Sequence, residues 1–395
     1  MPVLNRIAEF HPDMTAWRHH LHAHPETAFE EHATAAFVAE KLASFGIEVH
    51  RGLAGTGVVG TIKGGKGPGG AIGLRADLDA LHVAEKNGFA HRSQNAGRMH
   101  ACGHDGHTTM LLGAARYLAE TRAFAGTVHV IFQPAEENEG GGRVMVEEGL
   151  FDKFPVDAVF GMHNWPGQSV GTIAVRPGPM MAAYDVFELT VQGRGAHAAM
   201  PHNGVDPVVA AAQIVTALQT IASRNTNPLD SVVVSVTQVH GGDTWNVIPD
   251  EVVLRGTCRA FRPEVQDGVE PAIRRIAGGV CSALDASFAL KYERRYPPTI
   301  NSEAETARAQ AAAAKVVGAE NVIRDPVPSM GSEDFAFMLQ AKPGAYVWIG
   351  NGPQAGGCGL HNPHYDFNDE ILPLGASYWV QLVDTMLGDG TAKRA

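Results

Sequence analysis

The sequence predicts an α/β chain of two domains, in which an α/β layer fold is interrupted by a βαββαβ insertion. Three observations predict it. A length of 395 residues exceeds what one hydrophobic core usually supports. Apolar strand runs alternate with helical patterns, as they do where strands pair in parallel. A central stretch, residues 184–292, follows an element order of its own. The composition, 45% hydrophobic and 18% charged, is that of a soluble globular chain rather than a disordered one.

Taken in order, residues 3–45 predict two helices. Phe37, Val38, Leu42 and Phe45 give the second an apolar stripe at helical spacing, and Gly46 ends it. The runs 56–62, 71–74, 128–132, 158–162 and 171–175 predict buried strands, and helical patterns at 107–120 and 142–148 fall between some of them. Within the insertion, 186–191 predicts a strand, 206–223 an Ala-rich helix, and 232–239 and 251–260 two strands. A helix over 265–284 and a strand over 287–292 complete the order of a ferredoxin-like unit. Helices at 303–317 and 374–387 return the chain to the first domain, which therefore spans 1–183 and 293–395, with 184–292 as the inserted domain.

The formal charge of −11 argues against a nucleic-acid partner and against anionic membranes. Arg6, Glu9, Asp13 and Arg18 interrupt the N-terminal apolar residues, so no signal-peptide core is expected, and no stretch is long and uncharged enough to span a bilayer. Four scattered cysteines, at 102, 258, 281 and 358, fit a reducing cytoplasm rather than a disulfide framework. The 19 histidines make metal or proton-transfer chemistry the first thing to test.

The densest signal is Met99-His100-Ala101-Cys102-Gly103-His104-Asp105-Gly106-His107, where soft thiolate and imidazole donors crowd ahead of a helix. Cys102 and His104, two residues apart, are candidates for one metal centre. Asp105 suits the helix N-cap, and His100 and His107 suit packing or support of the ligands. The strand over 128–132 runs into Gln133-Pro134-Ala135-Glu136-Glu137, placing adjacent carboxylates at a strand's carboxyl end, where α/β proteins build their sites. On an extended backbone the two would point apart, one toward a metal and the other toward a reacting water. A solvated acidic turn is the plainer alternative. The strand over 158–162 ends in His163-Asn164, and Gly359-Leu360-His361-Asn362-Pro363-His364 adds two histidines in a polar loop, with Cys358 as a competing ligand.

These strings, with Arg18-His19-His20-Leu21-His22, Pro25-Glu26, Arg75-Ala76-Asp77-Leu78-Asp79, Gly195-Ala196-His197, Asn246-Val247-Ile248-Pro249 and Gly331-Ser332-Glu333-Asp334-Phe335, resemble the peptidase M20 family. Within it the likeness is to the amidohydrolase branch of hippurate and auxin-conjugate hydrolases, and it covers nearly the whole chain. The resemblance implies a metal-dependent catalytic α/β/α domain with a ferredoxin-like lid and dimerisation domain. It also implies hydrolysis of N-acyl amino acids in a homodimer, with two divalent metal ions per subunit (zinc, manganese, cobalt or nickel). Cys102 would bridge the metals, His104 and His163 would complete one site, and Glu137 and His361 the other. Glu136 would be the general base, and His197 of the partner subunit's lid an oxyanion donor. Asn246, Arg259, Gly331 and Ser332 would contact substrate. Where the wider family often has His-x-Asp, this chain has Arg75-Ala76-Asp77, so Asp77 becomes a residue that supports the ligands.

Alternatives are an aminopeptidase or dipeptidase of the same family, a cysteine nucleophile at Cys102, and a metal-stabilised protein without catalysis. Gly55-Thr56-Gly57-Val58-Val59-Gly60 matches the spacing of a nicotinamide-binding fingerprint, but its last residues look like a strand where that motif requires a helix.

Overall fold

In the computed structural model, which describes residues 3–353 and 358–388, four parallel strands carry the first of two units. This unit comprises Met1–Met180, Ile300–Val327 and Asp334–Ala395. Thr127–Gln133, Ala71–Asp77, Ala158–Trp165 and Gly344–Gly350 lie side by side in that order at the centre of an eight-stranded sheet. Nearly every residue of the four is buried, as expected of parallel strands covered on both faces. The shared direction brings their carboxyl ends to one edge of the sheet. Glu48–Leu53 and Gly57–Lys63 extend one flank as an antiparallel hairpin, and Ile173–Ala174 and Val322–Ile323 extend the other. Met14, Trp17, Leu112, Val130, Phe160, Val347 and Trp379 join helices and sheet in one core.

Residues 3–45 form three helices rather than two: Asn5–Glu9, His11–Ala23 and His32–Ser44. The first two abut at Phe10, with Pro12 in the first turn of the second, where its missing N–H is no loss. The strands Glu48–Leu53 and Gly344–Gly350 were not expected. The first is mostly exposed and lacks apolar alternation; the second is an unbroken apolar run, which periodicity alone cannot assign. Gly55, at φ +79°, sits in the hairpin turn before Gly57–Lys63. The glycine string therefore joins two antiparallel strands and opens no helix, which removes the dinucleotide alternative.

The second unit comprises Met181–Thr299 and Pro328–Glu333. Its strands Val232–His240, Glu251–Ala260, Tyr184–Gln192 and Ser287–Tyr296 form an antiparallel sheet in that order. The helices Pro207–Leu218 and Pro263–Ala283 pack on it around Phe187, Leu189, Ile214, Leu254 and Ile273, so the chain order is βαββαβ. Asp206 caps the first helix by accepting from the N–H groups of Val208 and Val209. The unit runs beyond residue 292 because Ser287–Tyr296 stays paired as far as Tyr296 opposite Tyr184. Residues 328–333 join it through bonds from the Ala182 N–H to the carbonyls of Ser329 and Gly331.

Candidate metal centre

The carboxyl edge of the first unit's sheet gathers side chains from distant parts of the chain. Asp77 ends one strand, Gln133 ends its neighbour and feeds the Pro134–Glu137 segment, and His163 lies near the end of a third. Cys102 precedes the helix His104–Thr121. The His361 N–H donates to the Ala101 carbonyl at 2.7 Å, which ties the C-terminal loop beside Cys102. Gly103, at φ +99°, makes the sharp turn between Cys102 and His104, and a Cβ there would lie 2.3 Å from Asn164 Oδ1.

The five expected ligands converge. Donor atoms of Cys102, His104 and His163 lie within 4.8 Å of one another, and so do those of Cys102, Glu137 and His361. Cys102 is common to both groups. A third group joins His104, Glu136 and Glu137, and Glu136 is buried. Two imidazoles are held in the tautomer a metal requires. His104 Nδ1 donates to the Asp79 carbonyl at 2.8 Å, leaving Nε2 as a lone pair that is buried without a hydrogen-bond partner. His163 Nδ1 donates to the Asn164 carbonyl at 2.6 Å, and its Nε2 faces Cys102 Sγ at 3.4 Å. Glu137 Oε1 is likewise buried without a hydrogen bond, 3.3 Å from His361 Nε2.

The electrostatics call for cations. Burial, reinforced by Glu137, Glu136 and Asp77, pushes the Cys102 thiol well above its usual range. Burial works against the His104 imidazolium, yet Asp77, Asp79 and Glu137 raise its pKa to about 10. Without a metal the cluster thus recruits protons to offset its negative charge. Orphaned buried donors together with thiolate, imidazole and carboxylate chemistry fit divalent transition metals.

Several expectations need correction. Glu136 and Glu137 leave a turn, not an extended strand: Ala135 has φ +54°, and both carboxylates approach His104. Asp105 is not the N-cap. Gly103 occupies that position, and the Asp105 carboxylate is buried against His22 at 2.8 Å and Arg18 at 3.7 Å. Asp77 and His107 form a buried pair at 2.6 Å, with Arg75 2.8 Å from the other Asp77 oxygen. Asp77, His104 and His107 also form a ligand-like group, but His107 Nε2 is engaged by Asn164. Among the described residues, no such group includes Cys358 or His364.

The remaining candidates belong to the second unit. His197 and Asn246 lie at the small ladder of Ala196–His197 and Val247–Ile248, both exposed. Arg259 stacks on the Tyr184 ring at 4.0 Å and donates to Ser332 Oγ at 3.1 Å. The exposed Gly331 donates its N–H to Ser329 Oγ at 3.0 Å.

A set of thiol, imidazole and carboxylate donors at the carboxyl edge of an α/β sheet, buried except for the half-buried Glu137 and the exposed His361, with one more carboxylate beside them, defines a metal-dependent hydrolase. The chain belongs to the Peptidase family M20/M25/M40, whose profile matches residues 73–385. It is 43% identical to the N-acetyl-L-cysteine deacetylase of Bacillus subtilis, over 92% of this chain and 85% of that one. It is 40% identical to the hippurate hydrolase of Campylobacter jejuni, over 97% and 98%. Among solved structures it is similar to a dinuclear metal-binding peptidase of the M20 family from Bacillus subtilis, with a TM-score of 0.83 and 36% identity over 95% and 98% of the two chains. The protein is accordingly a hydrolase of amide bonds with a site for divalent metals.

Proposed function

We propose that the protein hydrolyses N-acyl amino acids, such as N-acetyl, hippurate-like or indole-acyl conjugates, to a carboxylic acid and a free amino acid. The observation that carries this is the position of Cys102, common to two ligand groups, with Glu136 at their side. Cys102, His104 and His163 would hold one divalent ion, and Cys102, Glu137 and His361 a second. The donor set suits zinc, manganese, cobalt or nickel. Such ions supply polarisation of the carbonyl and lower the pKa of water from about 15.7 toward roughly 7. Glu136 takes the proton of the attacking water on a carboxylate oxygen as that water adds to the amide carbon. It then delivers the proton to the leaving nitrogen, and the C–N bond breaks.

His197 is assigned as oxyanion donor in the partner subunit's site. Its Nδ1 accepts from the Ala199 N–H at 3.0 Å, so the neutral ring carries its proton on Nε2, and the residue is exposed. Arg259, with Asn246, Gly331 and Ser332 beside it in the proposal, is assigned to the substrate carboxylate, which a guanidinium fork suits. A homodimer through the second unit is supported by apolar side chains on and near its edge strand Val232–His240. Val239 is 61% and Val247 50% exposed, and Trp245 is fully exposed. A cytoplasmic location is supported by four cysteines that are all free.

The test is a screen of purified protein over N-acetyl, N-benzoyl and indole-acyl amino acids and over dipeptides, with and without chelator. Release of free amino acid from the acyl conjugates that stops with chelator is expected. Cleavage of dipeptides alone, or activity indifferent to chelator, contradicts the proposal.

A further inference from the structure

Glu31 was no candidate in the sequence, yet it is fully buried and joins three segments. Its Oε1 accepts from the N–H of Phe29 at 3.0 Å and of Ala135 at 2.9 Å. Its Oε2 accepts from Thr56 Oγ1 at 2.7 Å. Both N–H donors belong to non-glycine residues with left-handed backbone, Phe29 at φ +61° and Ala135 at φ +54°, a conformation that persists only where surrounding contacts enforce it. Ala135 is held from its other side as well, since its carbonyl accepts from the Gly141 N–H at 2.9 Å. Thr56 is the central residue of the Gly55-Thr56-Gly57 turn. A Cβ at Gly57 would lie 2.5 Å from the Leu53 carbonyl oxygen, so the glycine string serves a close turn that presents Thr56 to Glu31.

Ala135 immediately precedes Glu136 and Glu137, and its φ sets the direction in which the chain enters their turn. We propose that Glu31 is a positioning residue for Glu136 and Glu137: by holding the Ala135 N–H it fixes where the two acidic side chains leave the backbone. The inference rests on the assignment of Glu136 as general base. Among the described residues, Glu31 belongs to none of the ligand groups. Its action is to keep the base within the narrow range of positions from which proton transfer is fast, where displacement by about 1 Å costs on the order of 100-fold in rate.

Three variants test this. Glu31→Ala should lower kcat about 100-fold with KM changed less than about threefold. Glu31→Gln keeps an oxygen for the two N–H groups, and its NH2 can donate to the Thr56 hydroxyl, which both donates and accepts; kcat should stay within about threefold of wild type. Amide hydrogen exchange on metal-free protein supplies a second readout. In Glu31→Ala, the amides of residues 135–137 should exchange about tenfold faster or more, while the strand Thr127–Gln133 keeps its protection. A wild-type kcat in Glu31→Ala, or a loss in Glu31→Gln equal to that in Glu31→Ala, overturns the inference. Should Glu31→Ala fail to fold, Thr56→Val decides: about a fivefold fall in kcat supports the role, and an unchanged kcat overturns it. A wild type inactive on every N-acyl amino acid would contradict the functional proposal instead, and the exchange comparison would still judge Glu31.

Discussion

If Glu136 is the general base and Glu137 a metal ligand, as proposed, substitution should separate these sequence neighbours. Glu136→Gln keeps size and burial but loses the basic oxygen, so kcat should fall about 10²–10⁴-fold while metal content by elemental analysis is unchanged. Glu137→Gln should reduce metal content as well. A different residue-scale effect arises at His22, buried between Asp105 and Glu85 at 2.8 and 3.2 Å. Burial opposes its charge, but the two carboxylates prevail and raise its pKa to about 9. A histidine with a raised folded-state pKa contributes stability that is fully present below its unfolded value of about 6.5 and is lost as pH rises through about 9. The melting-temperature gap between wild type and His22→Gln should therefore narrow from pH 6 to pH 9.5, and a constant gap would show that folding leaves the His22 pKa unshifted. The candidate donors Cys102, His104, Glu137, His163 and His361 could be singled out only through the ordered set of motifs that resembles a known family, because each motif alone has a plainer reading, such as a solvated acidic turn at Glu136-Glu137 or a structural histidine at His163. Glu31 could not be. Beside Glu30 and His32 it looks like surface, and only contacts with Thr56 and Ala135, remote in sequence, bury it.

At the scale of elements, the turn at Gly103 couples the helix His104–Thr121 to the strand that carries His163. An added Cβ would press on Asn164 Oδ1 at 2.3 Å and on the Tyr365 hydroxyl at 2.8 Å, in a backbone conformation that disfavours side chains. Gly103→Ala should therefore cost about 1–3 kcal/mol, measured by denaturant unfolding, and weaken metal uptake because Cys102 and His104 flank the turn. Wild-type stability and uptake would mean that the turn tolerates a Cβ. Element type was largely legible: the helix Glu303–Val317 falls on its expected residues, and the inserted unit shows its order in hydrophobic pattern alone. The failures have local causes. The start of His104–Thr121 was placed late because its first turn is polar, with His104, Asp105 and His107 buried by partners from elsewhere. The extended backbone expected at Glu136 gave way to a turn because Glu31 holds Ala135 in a left-handed conformation that sequence rules assign to glycine.

For the whole molecule, two dependencies are expected, on a second subunit and on metal. If His197 serves the neighbouring subunit's site, mixing Glu136→Ala chains with His197→Ala chains should restore part of the activity that each lacks alone, and no recovery would assign His197 to its own chain or to none. Ligands that bind only the folded state stabilise it, so chelation should lower the melting temperature and metal should restore it. No helix among the described residues is long and apolar enough to cross a membrane. The convergence of Cys102, His104, Glu137, His163 and His361 on a pair of cations is tested most directly by calorimetric titration of chelator-treated protein with a divalent transition metal. Two equivalents per chain are expected in the wild type, with both lost or severely weakened in Cys102→Ser. A single equivalent, or two that persist undiminished in Cys102→Ser, would contradict a thiolate shared between two metals.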